Sequence, residues 1–238
     1  MNELLLILVA FGTSMVTAVV GMGGGLILIA FMPGLLPAAA IIPVHAIVQL
    51  CSNSSRALFG WRFIRWEFSV AFVLGSVAGG LLASQLMSRI DLAYSPLIIA
   101  AYILFNVWGP KIEFKNSPRG EFLTIGFVQT GLGMMVGATG PLGQSTLLRK
   151  GLARNALVVT TAVLMTITHI VKITLFGLLG FSFFSYWKII AGMSLGVILG
   201  AYIGTHLRYK VAETYFRPIV KWVLTLLALR IIYITIGR

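Results

Sequence analysis

The sequence predicts an all-α polytopic membrane protein made of two inverted repeats, each a broken re-entrant helical hairpin plus three transmembrane helices. Three observations predict it. The 238 residues are 58% apolar and only 10% charged, with a mean hydropathy of +0.98, whereas a soluble domain carries roughly a quarter charged residues. Two glycine-rich breaks, Gly21-Met22-Gly23-Gly24-Gly25 and Gly137-Ala138-Thr139-Gly140-Pro141, interrupt apolar stretches 116 residues apart. Lys and Arg fall on one side of the membrane only if those breaks turn back within it.

A glycine inside a helix costs about 1 kcal/mol against Ala. In lipid the freed N–H and C=O groups also find no water, so a break survives only when buried in protein or lining a polar cavity. Matched breaks in two halves are the pattern of a transporter binding site.

The elements follow in order. Residues 1–20 lack a basic leader region and read as a membrane segment rather than a cleaved signal. Within them 3–20 form a first helical limb. Leu26 to Leu36 form a return limb of 11 residues, too short to span. Pro33-Gly34 and Pro37 close it. Helices are expected at 38–60, 68–87 and 92–108, with Arg62, Arg65, Trp66 and Glu67 as an interfacial turn after the first of them. Residues 1–108 make the first repeat, 109–121 a polar linker, and 122–238 the second repeat. In the second repeat 122–136 and Leu142–Leu148 are the limbs, and helices follow at 154–180, 187–207 and 216–236. The third helices match as Ala71, Gly75, Gly79 and Ala83 against Gly192, Gly196, Gly200 and Gly204. Spacing of four puts these small residues on one face, where another backbone can approach.

Topology follows from Lys and Arg counts. If each break crosses the membrane, the connecting segments split seven to eight, with no bias. If each returns to its own side, twelve lie on one side (Arg56, Arg62, Arg65, Lys111, Lys115, Arg119, Arg149, Lys150, Arg154, Arg208, Lys210, Arg217) and three on the other (Arg89, Lys188, Arg238). The second split is what cytoplasmic positive charge produces. It makes the repeats inverted, the linker 109–121 cytoplasmic and both termini external.

Two hairpins entering from opposite faces would bring their tips together near the midplane. Helices starting at Gly24-Gly25 and Gly140-Pro141 would aim free N–H groups and positive dipole ends at one space. Gly23, Gly24, Gly25 and Gly140 are therefore candidate anion contacts, with Thr139 and Ser145 as hydroxyl donors or helix caps. The alternative is that the glycines only let the hairpins pack closely. Polar residues inside the spans add Gln49 and Asn53 on one helix and His169 on its counterpart, as substrate contacts or interhelical hydrogen bonds. Asn53 and His169 occupy matched positions, as do Arg56 and Lys172. Arg56 and Lys172 either snorkel to the interface or attract anions. His45, one turn before Gln49, is a structural histidine or, with His169, a proton-coupling candidate.

All six acids (Glu3, Glu67, Asp91, Glu113, Glu121, Glu213) lie at or beyond membrane edges. No buried carboxylate is left for a cationic substrate, sodium or a proton. The lone Cys51 excludes an internal disulfide framework and fits no zinc spacing. No cofactor and no metal are expected. An enzyme is disfavoured, since no carboxylate pair, metal-ligand cluster or nucleophile–base spacing is present. The net charge of +12 is spread between apolar helices, which fits helix flanks at a lipid surface and not nucleic acid.

The paired glycine runs, the basic turn after the second helix and the glycine-rich third helices resemble the TauE/SafE family of sulfite exporters, also called the toluene sulfonate uptake permease family. The resemblance covers nearly the whole chain. It implies a multi-pass carrier in the bacterial inner membrane for sulfite, sulfonates, sulfoacetate or related organic anions. The leading expectation is a secondary transporter or facilitator of a small anion. A passive anion channel of the same architecture and a non-transporting scaffold subunit are the alternatives. The expected partners are the small anion and the lipid bilayer, with a homodimer left open.

Overall fold

The computed structural model describes residues 2–21, 23–87, 92–110, 118–208 and 216–237. Ten α-helices carry the described chain: α1 (Asn2–Val20), α2 (Gly24–Phe31), α3 (Ala38–Phe59), α4 (Ser69–Met87), α5 (Ser95–Trp108), α6 (Pro118–Val136), α7 (Gly140–Arg149), α8 (Arg154–Leu178), α9 (Trp187–Leu207) and α10 (Phe216–Ile236). The architecture is all-α. Among the described residues, five stretches are long and apolar enough to cross a membrane: Glu3–Val20, Trp66–Met87, Arg154–Leu178, Phe183–Leu207 and Pro218–Ile236. Two expected crossings fall outside that set. α3 has the length, with 22 residues, but carries His45, Gln49, Ser52, Asn53 and Arg56 on one helix. α5 has only 14 residues.

Both glycine breaks are hairpin tips. Gly21 (φ 91°) ends α1 with its N–H on the Thr17 carbonyl at 2.7 Å, and Gly137 (φ 82°) ends α6 with its N–H on Gly133 at 3.0 Å. This is the left-handed residue that closes a helix, a conformation other side chains adopt only under strain. The chain then doubles back. A Cβ on Gly24 would fall 2.0 Å from the Thr13 carbonyl oxygen of α1. Past α2, Leu35 and Leu36 share a cavity with Glu3 and Leu6 at the start of α1. In the second hairpin Gly143 N–H donates to Gln129 Oε1 at 2.8 Å. Arg149 and Lys150, at the end of α7, reach Glu121 in the first turn of α6 at 2.9 and 2.8 Å.

Helix bounds differ from expectation at several ends, and three of these bear on the hairpins. The return limb expected over Leu26–Leu36 is the eight-residue α2, Gly24–Phe31. Pro33 stops it, since proline disfavours a helical residue before it and supplies no N–H. α7 begins at Gly140 rather than Leu142 and ends at Arg149, because Pro141 suits a first turn where no N–H is needed. α6 begins at Pro118, so the end of the expected linker is helical; residues 111–117 lie outside the described residues, as do Arg89 and Asp91.

The small-residue faces clasp the opposite half's hairpin. A Cβ on Gly75 or Gly79 of α4 would fall 1.9–2.0 Å from the carbonyl oxygens of Leu123 and Phe127 on α6. Gly196, Gly200 and Gly204 of α9 press on Ile7, Phe11 and Met15 of α1 in the same way. In each pair the register rises together, so the helices run parallel. α3 and α8 run antiparallel: His45 faces His169 with ring centroids 6.0 Å apart, while Gly60 meets Val159 and Arg65 N–H donates to Thr160 Oγ1 at 3.1 Å. A repeated hydroxyl pair ties each hairpin to its own half. Ser14 bonds Ser52 at 2.8 Å and Thr130 bonds Thr168 at 3.3 Å, the same two positions in each repeat.

Candidate functional site

A cavity of about 50 Å³ lies between the two tips, α3 and α8. One water needs about 10–15 Å³ on this measure, so the space suits a few waters or a small oxyanion. The first hairpin contributes Thr17, Gly21, Gly23, Gly25 and Leu26 to the wall, and the second contributes Ala138, Gly140, Pro141 and Gln144. α3 presents His45, Gln49, Asn53 and Arg56; α8 presents Val158, Thr161, Ala162, Met165 and His169. The helical period explains the two long helices. Positions 45, 49, 53 and 56 recur every turn on one face, and 161, 165 and 169 are the same positions of the second repeat.

The tips pass each other instead of meeting end to end. Gly21 abuts Val158 near the start of α8. Gly137 is held by Lys172, about 20 Å further along α8 at 1.5 Å per residue. The reason is length: α1 and α6 each run 19 residues before turning, nearly a full membrane thickness. Even so, Gly25 of one return limb and Gly140 and Pro141 of the other line the same cavity.

Of the residues singled out from sequence, Gly23, Gly25, Gln49, Asn53, Gly140, His169, His45 and Arg56 line the cavity. Four do not. Gly24 faces Thr13 and Thr17, since only a residue without a side chain fits between the limbs. Thr139 sits at the α7 N-cap but donates its hydroxyl to the Gln129 carbonyl at 2.8 Å, and Ser145 donates to the Leu142 carbonyl at 2.9 Å. Neither caps α7 with its side chain, and neither reaches the cavity. Lys172 is fully buried, and its ammonium donates to the Gly137 carbonyl at 2.7 Å. Snorkelling is not what Lys172 or Arg56 does. Arg56 is 4% exposed and donates to Asn53 Oδ1.

Thr17, Gln144, Thr161 and Met165 were missed. Thr161 and Met165 stand 116 residues after His45 and Gln49, so extending the repeat to every polar position of α3 finds them. Thr17 lies one turn before Gly21, on the face that the break exposes.

The wall has a pronounced electrostatic character. Arg56 brings a full positive charge, and no Asp or Glu lies among the lining residues. The negative C-terminal end of α1 is covered by Arg154 on the Val19 carbonyl (2.7 Å) and Arg208 on the Ala18 carbonyl (2.6 Å). Lys172 does the same for α6. The positive N-terminal end of α2 has no side-chain cap, and its first turn lines the space. Four polar atoms of the wall are buried without a hydrogen-bond partner: His45 Nδ1, Arg56 Nε, Thr161 Oγ1 and His169 Nδ1. Buried polar groups are ordinarily paired, and each orphan costs about 1–3 kcal/mol. Four around one cavity point to a polar occupant.

No curated protein and no solved structure matches the chain. The family model of the sulfite exporter TauE/SafE matches residues 6–231. With that match over nearly its full length, the chain belongs to the TauE/SafE sulfite exporter family, a family of membrane transporters for sulfite and related sulfur anions.

Proposed function

We propose that this chain is a secondary transporter or facilitator that moves a small sulfur oxyanion across the bacterial inner membrane through the cavity between the hairpin tips. The observation that carries the reading is the wall itself: one arginine, an uncapped helix N-terminus, four unpartnered polar atoms and no carboxylate. The volume favours sulfite or a short sulfonate over a bulky one. Arg56, Asn53, Gln49, Thr161, His45 and His169 would hold the anion; Gly23, Gly25 and Gly140 would let backbone come close.

The antiparallel run of α3 against α8, together with hairpins that return to their own starting side, supports repeats inverted across the membrane. The side holding Arg62, Arg65, Arg149, Lys150, Arg154 and Arg208 would be cytoplasmic, and both termini periplasmic. Alternating access would rock two bodies around the cavity. The clasps make α1–α2 with α9 one body and α6–α7 with α4 the other, rather than one sequence half against the other.

A thermal-shift screen of purified protein against sulfite, methanesulfonate, sulfate and acetate tests the site. A sulfur oxyanion should raise the melting temperature, and Asn53→Ala and His169→Ala should each shrink the rise. Equal rises in both variants and the parent would remove this cavity as the site. A C-terminal reporter that reads cytoplasmic would overturn the orientation.

A further inference from the structure

His45 and His169 both line the cavity and each has an unpartnered, buried Nδ1, and the His45 ring is fixed by a hydrogen bond. His45 Nε2 lies 3.0 Å from the Gly25 carbonyl oxygen. A carbonyl only accepts, so the hydrogen of a neutral His45 sits on Nε2 and Nδ1 carries a bare lone pair. That lone pair faces the second hairpin's tip, where a Cβ on Gly137 would lie 3.8 Å from it. A fully ionised oxyanion brought against Nδ1 would set one lone pair against another. The mismatch disappears if one proton sits between them, on Nδ1 or on an oxygen of the anion.

The surroundings leave that role to the anion. The charged and titratable groups facing His45 are Lys172 and His169 on α8, with Arg56 further along its own helix. α2 offers the Gly25 carbonyl, and the second hairpin offers Gly137 and Ala138. Among the described residues, no carboxylate lines the cavity to balance an imidazolium. Binding of the anion therefore favours the proton, and by linkage the proton favours the anion to the same degree.

We propose, resting on the anion-site reading above, that the cavity takes each oxyanion together with one proton held at His45 Nδ1, so that it prefers oxyanions that bring a hydrogen of their own. Hydrogen sulfite carries an ionisable O–H and donates it to Nδ1. Sulfate and methanesulfonate are fully ionised at neutral pH and must recruit a proton from water onto Nδ1. In each case one proton enters with the anion, leaving one net negative charge with sulfite or sulfate and none with methanesulfonate. His45 is thus a specificity-determining residue, distinct from the permanent charge of Arg56, which attracts any anion.

Titration calorimetry on the purified full chain tests this with sulfite, sulfate and methanesulfonate between pH 6 and 8, in two buffers of different ionisation enthalpy. Sulfite should bind roughly tenfold or more tighter than sulfate at neutral pH. Sulfate and methanesulfonate should weaken by up to about tenfold per pH unit as pH rises, with close to one proton taken up per anion. His45→Gln places an amide where Nε2 stood, near the Gly25 carbonyl, and removes Nδ1. It should lose the sulfite preference and the proton uptake. His206→Gln, at an exposed position on α9, should change neither. If sulfate and sulfite bind equally, with no proton uptake and no pH dependence in the parent chain, the proposal is overturned. That result needs no variant to fold. If none of the three anions binds at any pH, the anion-site reading itself falls, and this inference falls with it.

Discussion

The two hairpin tips share a backbone plan and differ in chemistry. Each first limb ends at a positive-φ glycine, each is clasped by a glycine face of the other half, and each is tied to its own second helix by a hydroxyl pair. The difference lies in which cation caps the limb's last carbonyls. In the second half Lys172 does it, reaching Gly137. In the first half Arg154 and Arg208 do it from α8 and the end of α9. Arg56, at the position matched to Lys172, is thereby free to face the cavity. The return limbs differ likewise. α7 has Pro141 in its first turn and gives its Gly143 N–H to Gln129, whereas α2 opens on two glycines, Gly24 and Gly25. In the proposed reading the matched positions supply a common scaffold, and their divergence leaves one anion site instead of two.

The comparison can be broken or sharpened by substitution. The largest expected effect tests the shared part. Gly79→Leu and Gly200→Leu each force a side chain into a carbonyl of the clasped limb. Backbone contact makes this worse than ordinary overpacking, which costs about 1–3 kcal/mol. Both should abolish monodisperse protein in detergent chromatography, and survival of one but not the other would show the clasps to be unequal. Next comes the divergent pair. Arg56→Gln should lower anion flux about 100-fold, the scale of a lost charge-assisted bond, with little change in melting temperature. Lys172→Gln should do the reverse, costing about 1.5–3 kcal/mol of stability and several degrees of melting temperature while retaining most flux. Matching losses of flux in the two variants would contradict the division of labour.

How much of this was legible in sequence follows from the same positions. The breaks, the hairpins and the two long polar helices could be read because glycine, proline and helical period act locally. Asn53 and His169 were found because each is polar on a strongly apolar background. The fate of Lys172 could not be read, since a lysine inside a span faces a cavity or a carbonyl depending on where a distant tip stops. The same holds for Gly24, whose partner is Thr13 across the turn, and for Thr139, which spends its hydroxyl on Gln129. The overlap of the tips was hidden because sequence sets limb length and leaves their tilt and register to packing.

Smaller effects refine the picture. Gln129→Ala should cost about 1–3 kcal/mol by orphaning the Gly143 N–H, detected as a lower melting temperature with unchanged anion affinity. Thr161→Ala removes a neutral hydroxyl at the His45-matched position, and should weaken anion binding only about threefold, a fraction of the Arg56 effect.

The central claim is that an anion crosses by occupying the cavity beside Arg56. Sulfite flux into proteoliposomes, measured against sulfite concentration for the parent chain and Arg56→Gln, tests it most directly. The account predicts a flux that saturates in the parent and falls about 100-fold in the variant. A flux that rises linearly without saturation in the parent, or one that Arg56→Gln leaves unchanged, would contradict it.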